Sequence, residues 1–257
     1  MTTLFSCEAT DRWKQCLKSY GSVIKALSDK KIESAAKAKK PKPNPTLLQL
    51  DNWYQNDLPG AVCSRSPAHV THAEMAKLMQ WKLTRGKFRP RLAQLIQENT
   101  SESIETCTRD AFTAYDKDKD LAAAIQKLSS LKAVGPATAS AVMACRFPES
   151  CPFMADESVT GAMPGIAIQY THKGYMAYAS KVTFKARRLR AQDKSHRWTA
   201  HDVELALWTD SLAKTLGVEL ESAGDDDSTA GSKDSAAAAA AAAAATSTEP
   251  AAKRRKK

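Results

Sequence analysis

Several features that identify common classes of protein are scarce in this chain. Its six cysteines are scattered, and no two have the C-x-x-C spacing of a zinc ribbon or an iron–sulfur site. We find no secretory signal peptide and no apolar run close to the roughly 18 residues that span a bilayer. Apolar and polar residues nowhere alternate over the length of a strand, which argues against a β-sheet. These absences predict an all-α protein of a reducing compartment, with no metal or other cofactor and no membrane contact.

Basic residues, by contrast, are in excess. The 257 residues include 38 Lys and Arg and 28 Asp and Glu, which gives a formal net charge of +10. The segment after Ala223 holds six of the basic and five of the acidic residues, so the preceding part carries a net +9. Each Lys or Arg that neutralises a phosphate releases condensed counterions, and the excess therefore favours a polyanionic partner. A basic protein without such a partner is the alternative.

The chain divides into four parts by composition. Residues 1–29 are predicted to form an N-terminal helix, with apolar side chains at helical spacing over 11–27. Residues 30–45 are rich in lysine and contain three prolines, which predicts a linker. Residues 46–220 form the main helical domain. Residues 221–257 include ten consecutive alanines and almost no large apolar side chains, so we expect a disordered tail.

Capping residues mark the helices of the main domain. Thr71 and Glu74 have the spacing of a capping box, and Gly86 ends the helix that follows. An earlier helix begins near Thr46 and is predicted to end at Pro59. Apolar spacing and capping residues predict further helices over 90–96, 102–115, 121–130 and 136–146. A last helix is predicted over 200–216, with Thr199 as its cap and Gly217 at its end.

The segment 121–146 carries the most information about function. An apolar helix ends near Ser130, the short connection LKAVG follows at 131–135, and Pro136 opens a second helix. Gly135 supplies the backbone freedom that a sharp turn requires. Free amides and the helix dipole at the start of the second helix predict a phosphate-binding site. Its residues are Lys132, Ala133, Val134, Gly135, Ala137 and Thr138.

This segment resembles the helix-hairpin-helix motif, whose turn usually reads Leu-Pro-Gly-Val-Gly before small residues. Ala133 stands where the motif usually has its first glycine. Over about residues 71–163 the chain also resembles the helix-hairpin-helix DNA glycosylase superfamily, in which an essential aspartate follows the hairpin. Asp156 lies 21 residues after Gly135. The resemblance implies that Asp156 is a catalytic carboxylate, whereas its simple structural role would be to cap a helix that starts at Glu157.

The chain departs from the pattern of that superfamily in two ways that bear on catalysis. Bifunctional members of that superfamily carry a lysine nucleophile at the position of Ala137, so lyase chemistry by that route is not expected. The chain is also short after Asp156, which leaves little material for a second pocket wall. The first hypothesis is therefore a DNA-binding relative without the chemistry. The second is a monofunctional DNA glycosylase of base-excision repair that uses Asp156, and the third is a nuclear scaffold whose partners are proteins.

Two basic clusters complete the predicted sites. The first is interleaved with aromatic residues and is expected to contact phosphate or, alternatively, to be a solvated helix face; it contains Lys82, Arg85, Lys87 and Arg89. The second follows Pro250 and looks like a signal for a nuclear import receptor or, alternatively, a basic tail that adds nonspecific affinity; it consists of Lys253, Arg254, Arg255, Lys256 and Lys257. The sequence thus predicts a nuclear protein that binds DNA, as a duplex, through its backbone and without sequence specificity.

Overall fold

The computed structural model describes residues 3–221, in which every regular element is a helix. The all-α prediction is confirmed for these residues, whereas the predicted disordered tail and its basic cluster, Lys253–Lys257, lie outside them. The α-helices are α1 (Thr10–Lys18), α2 (Tyr20–Lys37), α3 (Leu47–Asn52), α4 (Leu58–Cys63), α5 (His72–Arg85), α6 (Pro90–Leu95), α7 (Ser101–Asp118), α8 (Leu121–Leu128), α9 (Pro136–Arg146), α10 (Asp156–Ala162), α11 (His172–Gln192) and α12 (Ala200–Leu216). Short 3₁₀ turns occupy Leu4–Ser6 and Ile96–Glu98, and a π-helical turn occupies Trp53–Asp57.

The N-terminal part differs from the prediction in two ways. The single helix expected over 11–27 is broken at the buried Ser19, so that α1 and α2 both pack against α12. The expected linker over 30–45 is helical as far as Lys37, where α2 ends. Lysine and alanine are strong helix formers, and only the prolines from Pro41 onward prevent a helix. The linker prediction is therefore wrong for residues 30–37, where the helix propensity of lysine and alanine favours a helix.

The helix that begins after Thr46 does not end at Pro59, as was predicted. Thr46 caps it in a reciprocal pair with Gln49, and the chain continues through α3, the π turn and α4 to Cys63. In the π turn the Leu58 N–H donates to the carbonyl oxygen of Trp53, one residue further back than in an α-helix. Pro59 then lies in the first turn of α4, where its missing N–H costs nothing.

Local signals at two other helices are confirmed. Thr71 and Glu74 form the predicted capping box at the start of α5. Thr199 caps α12, and Gly217 ends it with a left-handed φ of +68°. No helix was predicted over α11. Its buried side chains nevertheless follow the spacing of three and four residues that is typical of a helix face: Tyr175, Tyr178, Val182, Ala186 and Leu189.

Helix α12 lies at the centre of the domain and contacts α1, α2, α10 and α11. Trp208 of α12 is completely buried, as are Trp13, Trp81 and Trp198. The rings of Tyr54 and Trp81 stack with their centroids 3.6 Å apart, which joins the π turn to α5. The first and last helices are joined by Arg12, whose guanidinium donates to Asp210 at 3.1 Å. Among the described residues, we find no helix with both the length and the apolar character needed to cross a bilayer.

Candidate nucleic-acid interface

The connection between α8 and α9, residues 129–135, contains Lys132–Gly135 of the predicted phosphate-binding segment 132–138, and we call it the α8–α9 turn. Its apolar side chains Leu131 and Val134 are buried, and the Val134 N–H donates to the carbonyl oxygen of Leu131 at 3.2 Å. Between them, Ala133 has a φ of +63°, in the left-handed region that glycine adopts without steric cost. Ala133 thus holds a glycine-like backbone conformation although it carries a Cβ atom.

Gly135 has a different role from the predicted one. It caps α9 with φ −89° and ψ −178°, an extended conformation that any residue adopts. A Cβ atom added at Gly135 would meet no atom within 4 Å. The prediction that Gly135 supplies the conformational freedom of the turn is therefore wrong, because the left-handed residue is Ala133. Gly135 is exposed, and the position has room for a side chain.

Only some of the predicted amides are free. The N–H groups of Thr138 and Ala139 both donate to the carbonyl oxygen of Gly135 at 2.9 Å, and that of Val134 is bonded within the turn. Thr138 and Val134 are also buried. Within the predicted segment 132–138, the backbone N–H groups of three residues have no hydrogen-bond acceptor: Ala133, Gly135 and Ala137. These three amides, rather than the whole segment 132–138, are the donors available to an anion.

Asn99, which directly follows the 3₁₀ turn Ile96–Glu98, holds the α8–α9 turn by two hydrogen bonds. The Lys132 N–H donates to Oδ1 of Asn99 at 2.9 Å, and Nδ2 of Asn99 donates to the Lys132 carbonyl oxygen at 3.1 Å. The Lys132 side chain is exposed, and its Nζ lies 2.9 Å from a carboxylate oxygen of Glu98. An exposed pair of this kind is weak, so the Lys132 ammonium can exchange Glu98 for a phosphate at little cost.

A cleft of about 450 Å³ opens beside the α8–α9 turn. One wall is formed by the turn and the first residues of α9, and another by the end of α5 and the loop that follows it. The remaining lining comes from Leu92, residues 153–157, Tyr170 and Trp208. The cleft therefore brings together segments that are far apart in sequence and that were singled out for different reasons: the turn, the first basic cluster and Asp156.

Asp156 is the first residue of α10, and its carboxylate is directed to side chains rather than to the helix amides. The N-cap of α10 is Ala155, so the alternative that Asp156 caps a helix starting at Glu157 is wrong. The Tyr170 hydroxyl donates to Oδ1 of Asp156 at 2.6 Å, and Nζ of Lys87 lies 3.4 Å from Oδ2. Burial and the neighbouring carboxylate raise the pKa of Tyr170 to about 12, which keeps its hydroxyl a donor at neutral pH.

The loop that carries Asp156 is tied to α9 by a buried serine. Ser140 Oγ accepts a hydrogen bond from the Met154 N–H at 2.9 Å and donates to the Ala137 carbonyl oxygen at 3.0 Å. Ser140 is fully buried, and its bond from the Met154 N–H is shielded from water. The position of Asp156 is therefore fixed relative to the start of α9, where the free amides lie.

Arg85 does not fit the surface role that the sequence predicted for it. Its side chain is 2% exposed and pairs with the fully buried Glu204 at 3.2 Å. The guanidinium carbon lies 4.3 Å from the centroid of the Trp208 ring and 5.4 Å from that of Phe153. Because its charge is already neutralised inside the protein, Arg85 is not available to a backbone phosphate. It stabilises the floor of the cleft instead.

Lys82 lies on the same helix one turn earlier and is half-buried in the cleft wall. Burial, and to a smaller extent the nearby Arg89, lower the pKa of its ammonium, Asp156 raises it, and the result is a pKa of about 8. No hydrogen bond or salt bridge joins its Nζ to any other residue in the described part of the chain. Lys82 is therefore a desolvated amine that lacks a counter-ion of its own.

The mouth of the cleft is basic and aromatic. The side chain of Lys87 is 76% exposed, and Tyr170 is 41% exposed. The guanidinium carbon of Arg89 lies 5.6 Å from the centroid of the Tyr170 ring, which orients this side chain along the rim. Exposed cations beside an exposed ring are suited to backbone contacts and base stacking.

Sequence reasoning thus identified most of the cleft but missed part of its lining. Tyr170, which orients Asp156, and Trp208, which covers Arg85, were not among the predicted site residues. Both belong to segments that are distant in sequence from the α8–α9 turn, and the only available signal for Tyr170 was an aromatic residue between two predicted helices. In the part of the chain that the structure describes, no three His, Cys, Asp or Glu side chains cluster as metal ligands.

Comparison with known proteins adds no relative. No family model, no curated protein and no solved structure matches this chain. The resemblance to the helix-hairpin-helix glycosylases therefore rests on the residues quoted for it, and the function has to be argued from the cleft.

Proposed function

We propose that the chain is a nuclear DNA-binding protein that grips the backbone of a duplex beside the cleft. The observation that carries the proposal is the set of three free amides at Ala133, Gly135 and Ala137, which belong to residues lining one cleft. Amides at the start of a helix bind phosphate oxygens, and the helix dipole adds to the attraction. Lys87 and Arg89 at the mouth extend the positive surface. Contacts of this kind position a protein on DNA without reading its sequence.

The salt dependence of binding is the first test. Fluorescence anisotropy with a labelled duplex should show an affinity that falls steeply as salt increases, with a log–log slope of about −0.9 for each phosphate neutralised. Replacing Lys87 or Arg89 with Ala should make that slope shallower by about 1 per residue. Affinity that is insensitive to salt would contradict the proposed backbone contacts.

Gly135→Asp is the variant that tests most directly whether the three free amides bind phosphate. The added Cβ atom meets no atom within 4 Å, the position is exposed, and its backbone is extended, so the fold should tolerate the change. Aspartate is also a preferred N-cap, and its carboxylate can accept the Ala137 N–H. The variant should therefore be at least as stable as the wild type, yet bind duplex about ten- to a hundred-fold more weakly, since charge-assisted contacts are worth about 1.5–3 kcal/mol.

Gly135→Ala is the matched control, because it adds a Cβ atom but leaves the amides free. Its affinity should equal that of the wild type. If Gly135→Asp remains folded and also keeps full affinity, the amides do not bind phosphate, and the nuclear scaffold with protein partners becomes the better hypothesis.

Removal of a base by Asp156 is the second candidate function, and the position of this carboxylate favours it. Asp156 lines a cleft with aromatic and apolar walls, and Tyr170 and Lys87 orient its two oxygens. Departure of a base leaves positive charge on the sugar, which an ionised carboxylate stabilises, and the base must first leave the duplex stack.

The test of this activity is a panel of duplexes, each with one damaged or mismatched base, incubated with protein and then treated with alkali to reveal abasic sites. Cleavage at one lesion that Asp156→Asn abolishes would establish a glycosylase. If the whole panel stays intact while salt-sensitive binding persists, the protein binds DNA without this chemistry.

Nuclear import through Lys253–Lys257 is part of the proposal and has its own test. A fluorescent fusion of the full chain should accumulate in the nucleus, and replacing the five basic residues with Ala should distribute it through the cell. Unchanged nuclear accumulation of that variant would remove the tail from the proposal.

A further inference from the structure

The end of α2 carries positive charge that no acidic group in the described part of the chain neutralises. Residues 37–42, which we call the lysine segment, are all exposed and include no acidic residue. Of the salt bridges among residues 3–221, the one in α2 joins Lys25 to Asp29, and none reaches the lysine segment. Basic side chains of α11, by contrast, share the carboxylates of Glu8 and Glu149. The lysines of the segment are Lys37, Lys39, Lys40 and Lys42.

The backbone of the lysine segment has a defined conformation where it leaves α2. The Lys40 N–H donates to the carbonyl oxygen of Ala35 at 2.9 Å, and the Lys39 N–H bonds the preceding turn in the same way. Lys39 is left-handed, with a φ of +52°, at a position after a helix where glycine is the usual residue. A lysine there adds a charge at a steric cost. A purely structural role for these lysines would be to stabilise the helix C-terminus, whose dipole favours cations.

The lysine segment leads to a groove that adjoins the cleft. Pro45, three residues after Lys42, lines a groove of about 680 Å³ along α5. Leu83 of α5 lines both this groove and the cleft, so the two concave surfaces meet at one helix, which is about 10–12 Å wide with its side chains. Burial lowers the pKa of Lys31 in α2, and Glu157, which lines the cleft, raises it, so α2 itself also passes close to the cleft. The lysine segment and the cleft are therefore neighbouring parts of one surface.

The groove continues the basic and aromatic character of the cleft mouth. Lys87 and Arg89 line the cleft, whereas Phe88, between them in sequence, lines the groove and is 74% exposed. Lys77 lines the groove as well, and its Nζ lies 4.5 Å from the centroid of the Trp53 ring. Cations and an exposed ring thus lie between the cleft mouth and the lysine segment.

We propose that the lysine segment binds the phosphate backbone of a DNA duplex held at the cleft. This inference rests on the DNA binding proposed above, and it extends the contact surface from the cleft mouth across the groove. A duplex carries one negative charge for about every 1.7 Å of its axis, so a duplex at the cleft presents phosphates to the neighbouring surface as well. Exposed lysines without an internal partner are suited to these phosphates, because each releases condensed counterions on contact.

Lysine footprinting of the full chain tests the contact directly. The protein is acetylated briefly with and without duplex, and the modification of each lysine is measured by peptide mass spectrometry. A triple variant removes three charges from the lysine segment: Lys39→Gln, Lys40→Gln and Lys42→Gln. The matched control removes three charges at exposed lysines that line neither the cleft nor the groove and form no salt bridge among the described residues: Lys18→Gln, Lys181→Gln and Lys194→Gln. Fluorescence anisotropy gives the salt dependence of duplex binding, and circular dichroism gives the Tm of each variant.

We expect duplex to slow acetylation of the three lysines in the segment and to leave the three control lysines unchanged. The segment variant should bind duplex about tenfold more weakly or less, with a log–log salt slope that is shallower by about 2–3, since each neutralised phosphate contributes about 0.9. The control variant should keep the slope of the wild type. A role in helix stability alone would lower Tm without changing the footprint or the slope, and that result overturns the inference.

Equal losses of affinity in the two variants would show an effect of net charge alone and overturn the inference, while duplex binding itself stands. Polyglutamate at the same concentration of negative charge is the probe for an acidic protein partner, and protection as strong as that by duplex also overturns the inference. Wild-type protein that does not bind duplex refutes the inference and the proposed function together. If the segment variant loses affinity while Gly135→Asp does not, the inference stands and the proposed contact at the free amides fails.

Discussion

Ala133→Gly should stabilise the protein, although it removes a methyl group and adds a flexible residue. Ala133 has a φ of +63°, and an L-amino acid pays about 1–2 kcal/mol for the left-handed region. Glycine avoids that cost but loses about 0.5–1 kcal/mol more conformational entropy on folding. The difference is a gain of about 0.5–1 kcal/mol in the free energy of unfolding, which corresponds to a rise of about 2 °C in Tm for a domain of this size.

Urea denaturation, read by tryptophan fluorescence, measures this change. The matched control is Ala123→Gly, which makes the same chemical change at an exposed position inside α8. There the backbone is helical, and glycine should lower the free energy of unfolding by about 0.5–1 kcal/mol. The two substitutions should thus have opposite signs. If Ala133→Gly destabilises the protein as much as Ala123→Gly does, residue 133 is not left-handed, and the geometry of the α8–α9 turn described above is wrong.

Three further predictions concern the groups around the cleft. Arg85→Ala should lower the free energy of unfolding by about 3–5 kcal/mol, because it leaves Glu204 buried without its partner; a loss below 1 kcal/mol in urea denaturation would contradict the buried pair. Lys82→Met should stabilise the protein at pH 7, on the order of 1–3 kcal/mol, because the folded state charges Lys82 less readily than the unfolded state. Since the folded pKa is lowered from 10.5 to about 8, the wild type gains stability as pH rises between these values, and the advantage of Lys82→Met should vanish near pH 10.5 in a Tm series. Ser140→Ala should cost about 1–3 kcal/mol, because the buried Met154 N–H loses its acceptor; equal urea midpoints for the two proteins would show that water or another group replaces it.

The features predicted correctly from the sequence are those decided within a few residues. Thr71 with Glu74 and Thr199 cap their helices by bonds to amides three residues away, so the pattern contains the whole interaction. The break at Ser19 is different, because it is set by packing of α1 and α2 on α12. Burial of Arg85 depends likewise on Glu204, which lies 119 residues away. A run of basic residues cannot show which of its members faces the core.

The candidate site shows the same division. The turn at 131–135 and Asp156 were found from local patterns, and the structure places both at one cleft. The structural roles predicted for residues of these segments were less accurate. The left-handed residue is Ala133 rather than Gly135, and Asp156 does not cap α10. Tyr170 became visible only in three dimensions, because its significance lies in the hydroxyl contact with Asp156. Spacing predicts where a helix begins, but it does not predict what a side chain touches across the fold.

The contact between α1 and α12 has a consequence for how the domain comes to be assembled. Arg12 and Asp210 are 198 residues apart, yet their side chains meet at 3.1 Å, and the Glu221 N–H donates to Ser19 Oγ at 2.9 Å. Contacts of such long sequence separation slow folding, because a large loop must close before they form. During synthesis α1 therefore cannot pack against α12 until α12 has been made. The floor of the cleft, which includes Trp208, is completed last. A ribosome stalled before residue 200 would display the α8–α9 turn beside a cleft that lacks Trp208 in its floor.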